Sequence, residues 1–164
     1  MPGARLSNAL GSPPSLKVDA TFLQSLLGYN ARRASLAIIE HFYVDMAGFD
    51  LRPVDFSVLS LIRHNPGITS RQLCHALSIL PPNMVVFLKH FEKRQLLKRA
   101  PHPTDGRAMG LTLTEAGEAL MQAAEKAAMA SGLKATSSLT ALERQTLTRL
   151  LQKIYLEPVS TAPK

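Results

Sequence analysis

The 164-residue sequence predicts a mainly α fold with one small β-hairpin and additional helices at both ends. Three observations lead there. Apolar residues recur at helical spacing over most of the chain, in segments bounded by capping signals. Between residues 96 and 113 the period shortens to two, around the dense turn Pro101-His102-Pro103-Thr104-Asp105-Gly106. The net charge of +7 is uneven: residues 81–113 hold six basic and two acidic groups, whereas 1–52, 53–80 and 114–164 each carry an excess of one.

The elements follow in order. Residues 1–19, with Gly11-Ser12-Pro13-Pro14 and no periodicity, read as a flexible N-terminal arm. From Ala20 to about Ala47, Leu23, Leu26, Leu27, Ala34, Ile38, Phe42 and Met46 form the stripe of one long helix, which Gly48 ends. Pro53 opens a second helix with Phe56, Leu59 and Ile62 inward, stopped by Asn65-Pro66-Gly67. Thr69-Ser70-Arg71-Gln72 has the capping-box form and starts a short third helix with Leu73, Ala76 and Leu77 as its apolar face. After Ser78-Ile79-Leu80, Pro81-Pro82 opens a fourth helix to about Arg94, with Met84, Phe87, Leu88 and Phe91 inward. Leu96–Arg99 and Ala108–Leu113 then read as the two strands of the hairpin, the second with Met109, Leu111 and Leu113 on one face. Thr114 caps a fifth helix. Thr140-Ala141-Leu142-Glu143 caps a sixth, with Leu142, Leu147, Leu150, Leu151 and Ile154 as its stripe.

This order is that of a winged helix-turn-helix with extra helices. The expected division is a flexible arm at 1–19, an N-terminal dimerisation helix at 20–47, a winged helix-turn-helix DNA-binding domain at 53–113, C-terminal dimerisation helices at 114–156, and a tail at 157–164. The first and last helices carry wider apolar stripes than a lone wing domain needs, so they are expected to interlock two chains into a homodimer.

A local basic patch beside near-neutral flanks is the footprint of a polyanion-binding surface, although a solvated charged face gives the same count. No apolar run approaches membrane-spanning length, the N-terminal residues lack a secretory pattern, and Cys74 is the single cysteine, so a cytoplasmic, nucleoid-associated protein is expected. Cys74 reads as buried filler or as a redox thiol. The five histidines show no metal-ligand spacing, and no nucleophile–base pair or glycine-rich phosphate loop is evident. The expectation is a protein that is not an enzyme, with no cofactor and no metal.

Asp105-Gly106-Arg107 through Leu111-Thr112-Leu113-Thr114-Glu115-Ala116-Gly117, preceded by Phe91-Glu92-Lys93-Arg94-Gln95-Leu96-Leu97-Lys98-Arg99, resembles the MarR (multiple antibiotic resistance regulator) family. The resemblance covers roughly residues 20–156. It implies a dimeric transcriptional regulator on a pseudo-palindromic operator, a repressor released by a small aromatic or anionic ligand. Four positions depart from the pattern. Gln95 stands where the family has glycine, and Leu80 stands at a usual Ser or Thr cap. Gly106 replaces a frequent wing arginine, and Val85-Val86 replace polar base-contacting residues.

With its apolar stripe inward, the fourth helix presents Pro82, Asn83, Val85, Val86, Lys89 and Lys93 outward, and a major groove about 12 Å wide accepts such a helix. Asn83 is placed to read an adenine edge. Val86 is read as a thymine-methyl contact or as a minor core residue against the wing. Lys89 and Lys93 would hold phosphates. The resemblance assigns Arg107 to the minor groove; Asp105, an acid that would not face DNA by itself, is expected to brace Arg107 or the backbone, and a solvated turn ion pair is the alternative. It also places an effector pocket near Tyr29, Arg32, Arg33, His41 and Phe42, suited to an aromatic carboxylate or an acyl-CoA thioester. Solvated arginines or inter-subunit ion pairs are the competing reading there. An architectural or non-specific nucleic-acid-binding protein, or an RNA-binding winged helix, are the other functions the sequence allows.

Overall fold

A computed structural model describes residues 18–101 and 109–156. The chain divides into two compact units, Met1–Ala34 and Ser35–Lys164. In chain order the elements are α1 (Thr21–Gln24), α2 (Leu27–Asp45), a 3-10 turn (Ala47–Phe49), α3 (Pro53–His64), α4 (Ser70–Leu77), α5 (Pro81–Lys93), β1 (Leu97–Pro101), β2 (Met109–Leu113), α6 (Glu115–Ala135) and α7 (Ala141–Leu156).

The single helix expected over 20–47 is interrupted at Ser25-Leu26. The Ser25 hydroxyl donates to the Phe22 carbonyl at 2.7 Å. The Asn30 amide donates to the carbonyls of Gln24 and Leu26 at 2.7 and 2.8 Å. Short polar side chains thus occupy the Phe22 and Gln24 carbonyls, which a continuous helix would have paired with the N–H groups of Leu26 and Gly28. At the other end Gly48 lies inside the 3-10 turn, and Asp50, at φ 51°, makes the left-handed exit.

In the larger unit the core is built from α3, α4, α5, α6 and the hairpin. Val58, Leu59 and Ile62 of α3 meet Leu73 of α4, Met84, Leu88 and Phe91 of α5, and Met121 and Ala124 of α6. Thr69 caps α4 as expected, accepting from the Gln72 N–H, while the Gln72 side chain accepts from the Thr69 N–H at 2.8 Å. Ala76, expected on the inner face of α4, is exposed; a helix this short buries little beyond Leu73. Cys74 is half-buried against the core.

The strands pair antiparallel with Leu97 opposite Leu113 and Pro101 opposite Met109. The first strand begins one residue later than expected. Gln95 sits at φ 57°, and the Leu96 N–H is still donated to the Phe91 carbonyl, so Leu96 belongs to the turn out of α5. A non-glycine residue therefore takes the left-handed position that glycine occupies in the family pattern. On β2, Leu111 and Leu113 are buried, but Met109 is 51% exposed and Gly110 is buried. The burial of Gly110 comes from a third piece of backbone. Gly67 donates to the Leu111 carbonyl at 2.8 Å, and Leu111 donates to Ile68 at 2.9 Å. A Cβ on Gly110 would lie 2.8 Å from the Gly67 carbonyl oxygen, so only glycine allows this approach.

Thr114 joins hairpin to helix. Its hydroxyl donates to the Gln95 carbonyl at 2.6 Å and accepts from the Gly117 N–H at 3.1 Å. An ion-pair cluster ties α6 to α3: Arg63 pairs with Glu118 at 3.0 Å and with Glu125, and His64 meets Glu125 at 2.9 Å. The expected stripe of α7 exists, but every member is exposed, Leu142 at 73% and Ile154 at 58%.

Candidate nucleic-acid interface

The candidate reading helix is α5. Leu80, with extended backbone, precedes it without a side-chain cap, and Pro81 occupies the first helical position, where a missing N–H costs nothing. Met84, Leu88 and Phe91 are buried. At roughly 100° per residue, Pro82, Val86, Lys89 and Lys93 fall in one outward stripe about 60° wide, and all four are exposed. Asn83 is also exposed, on the flank shared with Phe87 and His90. Val86, at 66% exposure, is not a core residue. Its isopropyl group stands in solvent between Pro82 and two lysines, where an apolar contact from DNA would cover it.

The one acidic residue of α5, Glu92, is neutralised internally. Glu92 accepts from Arg99 Nε of β1 at 2.5 Å, which also fixes the strand against the helix. Asp105 and Arg107, expected at the wing tip, lie outside the described residues.

Sequence reading missed the residues that hold α5 from the side. Arg52, exposed at the N-cap of α3, donates through Nε and Nη2 to the two carboxylate oxygens of Asp55, at 2.7 and 3.0 Å. Asp55 also accepts the Arg52 N–H at 3.0 Å and is itself 3% exposed. Burial pushes the Asp55 carboxyl up and is the largest single influence on it. The hydrogen bonds and charge of Arg52, with the charge of His90, outweigh it and hold the group below the ordinary carboxylate value. The Arg52 guanidinium lies 5.5 Å from the centroid of the Phe87 ring of α5. The available signal was the Arg52-to-Asp55 spacing around Pro53, a box in which only the returning carboxylate resembles the usual pattern.

The five candidate ligand residues divide between the units. Tyr29 is half-buried and Arg32 and Arg33 are exposed in the N-terminal unit; Tyr29 and Arg33 are one turn apart on α2. His41 and Phe42 are half-buried in the larger unit, where Phe42 packs edge-on against Phe56 with centroids 5.6 Å apart. A cleft of about 530 Å³ in that unit is lined by Tyr43, Met46, Leu51, Arg52, Asp55, Val86, Phe87 and His90, among others, and by none of those five. Among the described residues no cluster of three or more His, Cys, Asp or Glu side chains could hold a metal ion, and no helix is long and apolar enough to cross a membrane.

A short helix, a turn, an exposed second helix and a following antiparallel hairpin define a winged helix-turn-helix, a module that lays its second helix in a DNA groove. The MarR family model matches residues 51–109. The transcriptional repressor CouR, bound to a 23-mer DNA duplex, is 34% identical; the match covers 84% of this chain and 98% of that one with a TM-score of 0.76. CouR bound to p-coumaroyl-CoA is 35% identical, with coverage of 87% and 99% and a TM-score of 0.75. The HTH-type transcriptional repressor Rv2887 of Mycobacterium tuberculosis is 27% identical over 128 residues, 78% of this chain and 92% of that protein. Its complex with salicylic acid matches with a TM-score of 0.64. The chain belongs to the MarR family. It is a DNA-binding transcriptional repressor of that family and not an enzyme.

Proposed function

We propose that the protein acts in the cytoplasm, at the nucleoid, as a homodimer on a pseudo-palindromic operator and is released from it by an aromatic anionic effector. The observation that carries the DNA reading is the exposed stripe of α5, where two lysines flank an exposed valine. Lys89 and Lys93 hold phosphates and set the register. Val86 meets a thymine methyl group, and Asn83 reads a base edge at the helix N-terminus. Arg107 enters the minor groove with Asp105 bracing it.

The dimer reading is supported by the apolar faces left open at both ends. Phe22 and Leu27 are 74% and 70% exposed, and Leu142, Leu150, Ile154 and Tyr155 of α7 are between 47% and 73% exposed. A solvated stripe of that composition is what a second copy would cover. Residues 20–47 and 114–156 then serve dimerisation and 53–113 serves DNA binding, with the reading helices roughly 34 Å apart.

The effector reading is supported by relatives bound to p-coumaroyl-CoA and to salicylic acid. Arg32 and Arg33, both exposed, supply cations for a carboxylate or for thioester phosphates, and Tyr29, one turn from Arg33, supplies ring surface. Such a ligand must bind better to the conformation that no longer fits the half-site spacing, because equal affinity for both states shifts nothing.

The experiment is selection of bound duplexes from a random pool, followed by titration of the selected complex with aromatic acids and their CoA thioesters. The expected result is a two-fold-related sequence preferred by about a thousandfold or more over random DNA, and its release by one member of the panel. Binding without sequence preference would favour an architectural protein. Release unaffected by Arg32→Ala/Arg33→Ala would remove the arginines from the effector site.

A further inference from the structure

The rotation of α5 about its own axis decides which side chains face a DNA groove. Its buried residues hold one side only. Two further attachments lie elsewhere on the helix, and both come from the end of the 3-10 turn and the residues leading into α3. At one end the Arg52 guanidinium, its plane fixed by the two-point contact with buried Asp55, lies against the Phe87 ring. At the other end Arg94, the residue closing α5, donates through Nη1 to the Asp50 carbonyl at 2.8 Å and through Nη2 to the Phe49 carbonyl at 3.3 Å. Arg94 also lies 3.6 Å from the Asp50 carboxylate. The left-handed backbone at Asp50 turns the chain between these two grips.

Phe87 and Arg94 are seven residues apart, about two turns, so they share one side of the helix. That side lies roughly a quarter-turn from the stripe of Met84, Leu88 and Phe91, and between it and the outward stripe. Core contacts resist displacement of a helix, whereas a brace a quarter-turn away resists its roll. We infer that the segment Phe49–Asp55 is a two-point clamp that sets the roll of α5, with Arg52 and Arg94 as positioning residues for DNA reading. This rests on the reading of α5 as the DNA-contacting helix. The chemistry requires arginine at position 52. A lysine keeps the charge but has neither the plane that lies on a ring nor the fork that matches a carboxylate. Val86 and His90 line the same cleft as Arg52 and Phe87, so a shift of the clamp moves residues on the rim of the reading surface.

The test uses the full chain with Arg52→Lys, Arg52→Ala and Phe87→Leu. The probes are the duplex most enriched from a random pool by the wild-type protein and a scrambled duplex of the same composition, each titrated by fluorescence anisotropy over a salt series. Arg52→Lys and Phe87→Leu are expected to lower the ratio of the two affinities about tenfold, the scale of one misaligned base contact. Affinity for the scrambled duplex and the salt slope should stay unchanged. Wild-type behaviour of Arg52→Lys would overturn the clamp, since charge alone would then suffice. Equal loss on both duplexes with a salt slope flatter by about one would also overturn it, because Arg52 would be a phosphate contact. If the wild-type protein enriches no sequence, the reading of α5 fails by itself. The clamp is then judged by amide hydrogen exchange without DNA: faster exchange over residues 84–93 in Phe87→Leu and Arg52→Ala is expected, and unchanged exchange overturns it.

Discussion

Gly117 and Gly132 lie on the same helix, α6, and the same substitution at the two should have opposite effects on stability. A Cβ on Gly117 would sit 2.0 Å from the carbonyl oxygen of Leu96 and 3.3 Å from the Leu113 side chain. The first is a backbone atom, so the first turn of α6 must withdraw from the hairpin by more than 1 Å to restore an ordinary contact. That carbonyl accepts the Thr114 N–H at 3.0 Å, and the Thr114 hydroxyl holds the Gln95 carbonyl at 2.6 Å, so withdrawal strains both bonds. Two hydrogen bonds at about 1 kcal/mol each, with about 1–3 kcal/mol for overpacking and less up to about 1 kcal/mol of helix propensity, give a loss of about 2–5 kcal/mol for Gly117→Ala. At Gly132 an added Cβ meets nothing within 4 Å. Gly132→Ala should therefore gain up to about 1 kcal/mol from helix propensity alone. Urea unfolding followed by circular dichroism at fixed protein concentration measures both. For a domain of this size Gly117→Ala should melt about 4–20 °C lower. A Gly117→Ala protein as stable as wild type would refute the close approach of α6 to the turn at Leu96, and with it the reason glycine stands there.

Acid should weaken the protein through Asp55 and Glu125. For Glu125, burial raises the carboxyl, but hydrogen bonds from Ser60 and His64 and the charges of Arg63 and His64 hold it below its ordinary value. The stability these two groups contribute is present above the unfolded carboxylate range and lost as pH falls through their lower folded values, below about pH 4. Urea midpoints against pH should show that fall, and Glu125→Gln should flatten it. Asn83→Ala should cost about 1–3 kcal/mol at one base position, whereas Lys89→Ala should weaken binding to all duplexes and reduce the salt slope by about one; titration of single-base operator variants separates them. Deleting residues 139–164 should leave monomer or aggregate and abolish tight operator binding. A truncated chain that stays dimeric by light scattering would sink the assembly proposal.

What the sequence determined by itself was whatever rests on local chemistry. The caps at Thr69, Thr114 and Thr140 each satisfy a free N–H within three residues of chain. The prolines at 53 and 81 open helices for the same local reason, and the inner stripe of α5 follows from helical period. The outward stripe of α5 is the complement of that period. What only tertiary structure decided depends on partners distant in sequence or on competition between close neighbours. Gly110, expected on the outer face, is buried because Gly67, more than forty residues earlier, runs alongside β2. The helix break at Ser25-Leu26 came from side chains competing for carbonyls, which a periodicity of apolar residues does not register. The tie between α5 and the segment before α3 was hidden for the first reason, apart from the local Arg52-to-Asp55 spacing. Neither arginine lies on a stripe: Arg52 acquires its role when the fold brings the Phe87 ring to it, and Arg94 when the carbonyls of Phe49 and Asp50 come within its reach.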